Sequence, residues 1–250
     1  MVNLRWPLNS PRQQCFCKSI ILRLVLLLLW CFLVLYPQPW QLFTSISRLN
    51  RPPLAPEKVE SLAASFWEEW NEENLANADE ENITPDMIEP FIYKTIPYSY
   101  DWETHNMPWY FPSMEEVLQN RRGDCKARYL VFASLLEHMD IPYQTKVSPT
   151  HIWVDYEGRD RPAHETNQVA FWVTDEHGNT QLQIPQVDLS RSWGSLFEGF
   201  WEVMPINRKI LLLTGFPATI NLPSLYRCLQ NQTLPCFSAS KLPEKPRDLT

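Results

Sequence analysis

Cys125 and His151 are the side chains whose types and surroundings best suit nucleophilic chemistry. They stand 26 residues apart in "RRGDCKARYLVFASLLEHMDIPYQTKVSPTHIWVDYEG", Arg121 to Gly158. Cys125 follows Gly123-Asp124 and opens an apolar run with helical spacing. A thiol attacks as its thiolate, and the partial positive charge at a helix start favours that form. Unsatisfied backbone N–H groups at the same helix start offer a place for an oxyanion. Gly123, lacking a Cβ, is expected to leave room for substrate backbone beside the sulfur. His151 begins the strand-like "HIWVDY", from which an imidazole can reach another element as general base.

A third group should orient that imidazole. Strand alternation puts His151, Trp153 and Asp155 on one face and Ile152, Val154 and Tyr156 on the other. Asp155, four residues along, lies ~13 Å away, too far to serve. If Glu157-Gly158-Arg159 is a three-residue hairpin turn, 156 pairs with 160 and 151 with 165. Glu165 then faces His151, and Asp160 sits at the wrong end. Pro162 can bulge the second strand, which keeps His164 and Asn167 open. Glu165 is the first choice and Asn167 the next, since an amide also orients a catalytic histidine in some thiol enzymes.

These residues need elements to hold them. "PEKVESLAASFWEEWNEEN" places Val59, Leu62, Ala63, Phe66, Trp67 and Trp70 on one helical stripe. Residues 71–112 are acidic, then rich in aromatics and proline, and give no clear period. Ser113 to Glu116 is a capping box opening a short helix that ends near Arg122. From Asp124 to His138 apolar residues cover most of a helical surface, which predicts a central, buried helix stopped at Ile141-Pro142. The period then changes to two: 143–147, 151–156, 169–174 and 180–184 read as strands, with a turn over 175–179. Residues 195–216 read as a further helix, too short and too near Pro217 to cross a membrane. Helices first and a mainly antiparallel sheet afterwards make the expected class α+β.

Through "WYFPSMEEVLQNRRGDC", "ASLLEHMDIPY" and "HIWVDY", residues 109–167 resemble the transglutaminase-like superfamily. The resemblance implies a papain-like core, a central helix packed on an antiparallel sheet, and a Cys-His-acid triad. It implies Cys125 as nucleophile and His151 as base. The family's third position, an Asp, falls where the hairpin argument puts Glu165. For the upstream oxyanion donor, Trp102 and Trp109 are candidates by type.

The first 56 residues differ in kind from the rest. They contain no acid and carry Arg5, Arg12, Lys18, Arg23, Arg48 and Arg51, so with a net charge of −7 the remainder carries about −13. That acidic balance argues against a nucleic-acid partner. The 17 apolar-dominated residues from Ile20 to Tyr36 reach ~26 Å as a helix, near the length needed to cross a bilayer. Four basic residues precede or open this span and two follow it, which predicts a cytoplasmic N-terminus and a soluble domain outside. The expected organisation is a cytoplasmic segment over 1–19, a transmembrane anchor over 20–40, a Pro-rich linker over 41–56, and a transglutaminase-like domain over 57–250. "RPPLAP", 51–56, reads as a stiff spacer. Cys15 and Cys17 flank the membrane, Cys31 lies in the span, and Cys228 and Cys236 are spaced for a small-loop disulfide on the outer side. Asn82 and Asn231 match the glycosylation acceptor pattern.

With six glycines, all from Gly123 onward, there is no GxGxxG or P-loop. No cofactor and no metal are expected. A zinc site on Cys125, His151 and His164 would be the metal alternative, without HxxxH or CxxC spacing. The leading expectation is a membrane-anchored cysteine enzyme, a protease, amidohydrolase or acyltransferase acting at an amide of a protein or peptide, hydrolysis before cross-linking. The alternative is a non-catalytic binding or scaffold module on the same fold.

Overall fold

The computed structural model describes residues 11–73, 83–160, 165–166, 168–175, 179–185, 194 and 197–233. The chain divides into two compact units, one spanning Leu33–Lys209 and the other drawn from the segments before and after it.

In the larger unit, α2 (Pro39–Asn50) leads through a 3-10 turn (Pro56–Lys58) to α3 (Glu60–Glu73), α4 (Pro85–Thr95), the short α5 (Asp101–Thr104), α6 (Met114–Asn120) and α7 (Cys125–His138). Four strands follow: β1 (Gln144–Val147), β2 (Ile152–Asp155), β3 (Trp172–Thr174) and β4 (Thr180–Leu182). They form one antiparallel sheet in the order β2-β1-β3-β4. The class is α+β.

Helix α7 is the centre. Leu130, Val131, Ala133, Leu135 and Leu136 are fully buried, as expected of a helix apolar on nearly every side. It touches β2, α3, α4, α6 and the 3-10 turn. Ile152 and Val154 of β2, with Val147 of β1, belong to the same apolar core. On the opposite face of the β1–β2 pair, Lys146 lies opposite Trp153 and forms a buried ion pair with Asp155. Asp155 is thus occupied away from His151. The capping box at α6 forms as read: Ser113 Oγ accepts from the Glu116 N–H at 3.3 Å, and Glu116 accepts from the Ser113 N–H at 2.6 Å. The stripe read there is buried at Val59, just before α3, and at Ala63 and Phe66 on it, with the tryptophans partly buried beside them.

Three expectations change. First, residues 41–56 are no spacer. Ser45 on α2 is fully buried and accepts the Phe111 N–H at 3.0 Å, while Arg48 donates to the Phe111 carbonyl and the Tyr110 hydroxyl and pairs with Glu116. Farther on, the Ala55 N–H donates to Ser134 Oγ of α7 at 3.0 Å. The prolines that suggested an extended linker instead carry the chain across the core helix. Second, the unreadable 71–112 region contains α4 and α5, and it buries Ile88, Ile92, Ile96, Trp102 and Phe111. Third, Pro217 does not end the last helix: after a π turn (Glu198–Glu202), α8 runs unbroken from Ile206 to Thr233.

The helix preceding the larger unit, α1 (Pro11–Leu35), holds the apolar stretch of the expected anchor. Among the described residues no single helix is long and apolar enough to cross a membrane; α1 from Ile20 passes only together with α2, from which it is bent by 72°. The cysteine pair Cys228 and Cys236 and the acceptor Asn82 lie outside the side chains described.

Ser45→Ala leaves the buried Phe111 N–H without its acceptor. The expected cost is about 1–3 kcal/mol, read as a lower urea midpoint by tryptophan fluorescence. A spacer residue would leave the midpoint unchanged.

Candidate active site

The start of α7 is fixed by contacts on each side of Cys125. The Gly123 N–H donates to the Pro97 carbonyl at 3.1 Å, and the Ser99 N–H donates to the Gly123 carbonyl at 3.0 Å, forming a parallel bridge between Tyr98 and Gly123. A Cβ on Gly123 would collide with that of Ala127 in the next turn. The helix itself requires glycine here, a reason the sequence reading did not supply. Asp124 caps the helix, accepting the Lys126 N–H at 3.0 Å. Cys125 is then the first helical residue and half-buried.

Lys126, beside the cysteine, does not face water. Its ammonium is buried between Asp101, at 2.9 Å, and Asp124. Asp101 also accepts the Tyr110 N–H at 2.8 Å. Burial and the neighbouring Asp124 charge raise Asp101 to about 7 against the pull of Lys126. Burial alone would lower Lys126, but the two carboxylates outweigh it and hold the ammonium well above its ordinary range.

His151 lies in the turn before β2, its carbonyl accepting the Ser148 N–H at 2.8 Å. Its ring stacks on that of Trp153, with centroids 5.7 Å apart and planes 19° from parallel. Nε2 lies 2.7 Å from Oε1 of the buried Glu165. The imidazole also shares a hydrogen bond with Cys125. Burial would lower the His151 pKa, yet the Cys125 charge and hydrogen bond, then those of Glu165, push it up to about 10. Glu165 is held below the usual carboxylate range: burial works against this, but His151 and Arg159 prevail.

The structure thus brings together all three first-choice residues, Cys125, His151 and Glu165. Glu165 arrives by another route than the hairpin count supposed. Gly158, at φ 83°, turns the chain after β2, but no strand pairs with the outer edge of β2 among the described residues. Instead Arg159 holds the carboxylate: its Nη1 lies 2.5 Å from Glu165 Oε2 and its Nη2 2.5 Å from Glu89 Oε1 on α4. Tyr93 and Tyr156 donate to the same Glu89 at 2.6 and 2.8 Å. Sequence reasoning missed Arg159, read as a turn residue, and Glu89, in a segment without a clear period. Asp160 is exposed, and His164 and Asn167 lie outside the described residues. Trp102 is spent elsewhere, its indole N–H donating to the Phe200 carbonyl at 2.9 Å.

Tyr98, half-exposed, is the residue bridged to Gly123 two positions before Cys125. Burial chiefly, then the charges of Cys125 and Asp124, raise its phenol pKa. The guanidinium of Arg128 lies over the rings of Tyr93 and Tyr98, at 4.7 and 5.3 Å from their centroids. A separate cavity of about 540 Å³ lies toward the other end of α7, lined by Leu49, Tyr129, Glu137, Tyr143 and Trp172, and shares no residue with the triad.

Comparison with known proteins adds no relative: no family model, no curated protein and no solved structure matches this chain.

Lys126→Met leaves two buried carboxylates without their cation and is expected to destabilise the fold by about 3–5 kcal/mol. Because Asp101 takes up a proton near pH 7, the loss should be smaller in unfolding measured near pH 5 than near pH 8.

His151, raised from an unfolded value of ~6.5, stabilises the fold fully below that pH and loses the contribution as pH rises through about 10. Glu165, depressed, contributes above ~4.3 and loses its contribution as pH falls through its lower folded value. Glu165→Gln should move the His151 titration, followed by NMR of its ring protons, down toward 6.5. An unmoved titration would separate Glu165 from His151.

Proposed function

We propose that this chain is a membrane-anchored, transglutaminase-like thiol enzyme with a papain-like core, acting at an amide of a peptide or glutamine side chain. The observation that carries the reading is His151 held between the Cys125 sulfur and the buried Glu165 carboxylate. Nucleophile, base and orienting acid come from the start of α7, the entry to β2 and the bend at 165. The anchor is α1, with its N-terminus in the cytoplasm on the charge argument above.

In the acylation step the Cys125 thiolate attacks the amide carbonyl carbon, forming a C–S bond. The carbonyl oxygen becomes the oxyanion beside the start of α7, where Asp124 already takes the Lys126 N–H and the oxyanion must find another donor. The imidazolium of His151 gives its proton to the leaving nitrogen as the C–N bond breaks, releasing an amine or ammonia and leaving a thioester. His151, now neutral, takes a proton from water, whose oxygen attacks the thioester. The products are a carboxylic acid and the regenerated cysteine. Glu165 keeps Nε2 occupied throughout. Water needs no second binding site, which favours hydrolysis over transfer to an amine.

The test is alkylation of the full chain by iodoacetamide at neutral pH, followed by peptide mapping. Cys125 should react rapidly, and His151→Ala should slow it. Amide hydrolysis of a peptide library should be abolished by Cys125→Ser and reduced about 10²–10⁴-fold by His151→Ala. A Cys125 that reacts no faster than a free thiol would overturn the enzyme reading in favour of a binding module.

A further inference from the structure

We propose that α8 is a second membrane-embedded helix, paired antiparallel with α1. Residues 36–205 are then a domain looped out on one face of the bilayer, and both ends of the chain lie on the other. The inference rests on reading α1 as the membrane anchor and extends it from one crossing to two.

The stretch from Ile210 to Tyr226 has no charged residue over 17 positions, the length of the apolar stretch from Ile20 to Tyr36. Each reaches ~26 Å as a helix. Its apolar side chains face outward: Leu213 is 65 % exposed and Phe216 52 %, as Leu28 on α1 is 68 % exposed. Over 206–221 the only buried residue is Gly215. An uncharged stretch uncovered over this length is poorly suited to water; since no single described helix passes as a crossing by itself, α1 and α8 would span as a pair.

The polar groups on this stretch also suit lipid. Thr214 donates to the Ile210 carbonyl at 2.8 Å, Thr219 to that of Gly215 at 3.0 Å, and Asn221 to that of Pro217 at 2.8 Å. Each hydrogen-bonds the helix one turn back, which satisfies the two threonine hydroxyls and one N–H of the Asn221 amide within it. Pro217 is tolerable in such a helix for the same reason that it failed to end it.

The pairing itself has two fixed points. Trp30 of α1 donates its indole N–H to the Leu211 carbonyl at 3.1 Å, and a Cβ on Gly215 would collide with that indole. Close approach over a small residue is how helices associate in lipid. Just before the stretch, Arg208 donates to the Val34 carbonyl at 3.0 Å. From that level Arg227 lies ~28 Å along α8 and Lys18 ~24 Å back along α1, so basic residues bound both apolar stretches at similar depth. Beyond Arg227 the sequence adds Lys241, Lys245 and Arg247 against two acids, Glu244 and Asp248, which favours the side that holds Arg5, Arg12 and Lys18. Cys228 and Cys236 would then lie in a reducing compartment as free thiols, and Asn231 would escape glycosylation, reversing the outer-side expectation for both.

Sidedness tests this on the full chain, carrying an N-terminal tag, in sealed membrane vesicles. Alkaline carbonate extraction comes first, then an impermeant maleimide read at Cys228 and Cys236 by peptide mapping, alongside protease removal of the tag. The expected result is a carbonate-resistant chain whose tag and two cysteines become accessible together. If Cys228 and Cys236 are accessible when the tag is protected, or form a disulfide, α1 alone crosses and the hairpin is overturned. Release by carbonate would overturn the anchor itself.

Discussion

One buried ammonium organises the centre of this protein. Lys126 lies where helical periodicity calls for core, and it is held there by Asp101 and Asp124. Asp124 simultaneously caps α7, and Asp101 takes the Tyr110 N–H, so the same charge ties the helix start to the loop before α6. Apolar side chains of the right volume would cost less to bury than these ions. What the ions supply is a unique register for α7: a shift by one residue would strand all three. Cys125, one residue from both Asp124 and Lys126, inherits that position.

The opposite side of the site is set by a second chain of charges. Glu89 on α4 holds Arg159, Arg159 holds Glu165, and Glu165 holds His151. Stacking on Trp153 fixes the plane of the imidazole from one side. The histidine lies at the entry to an edge strand, where backbone pairing gives it little support, and the ionic chain replaces that support with links to a helix. Both charge networks are nonlocal, and both deliver one short-range consequence, the approach of a sulfur and an imidazole.

Local chemistry in the sequence anticipated what is local in the fold. The Ser113–Glu116 capping box, the apolar surface of α7 and the two-residue period of the four strands all mapped onto elements within a few residues of expectation. Glu165 was reached by counting a hairpin whose second strand is not seen among the described residues; what holds its carboxylate beside His151 is the distant ion pair with Arg159. What escaped was set by distant partners. Nothing near Arg48 announces Tyr110, Phe111 and Glu116, so α2 was mistaken for part of a spacer. Arg159 carried a turn signal from Gly158 that hid its buried role. Pro217 was weighed as a helix breaker, whereas α8 continues through it.

The hydrogen bond from Arg208 to the Val34 carbonyl marks the place where the chain both enters and leaves the larger unit. About 170 residues separate these two points, which at roughly 5–20 residues per second is on the order of 10–30 s of synthesis. During that interval every core residue of the unit is made before α8 exists. The Phe200 carbonyl that receives Trp102 comes just before α8, so the unit can close over its own core while tethered at one end. Cys125, His151 and Glu165 are all made before α8.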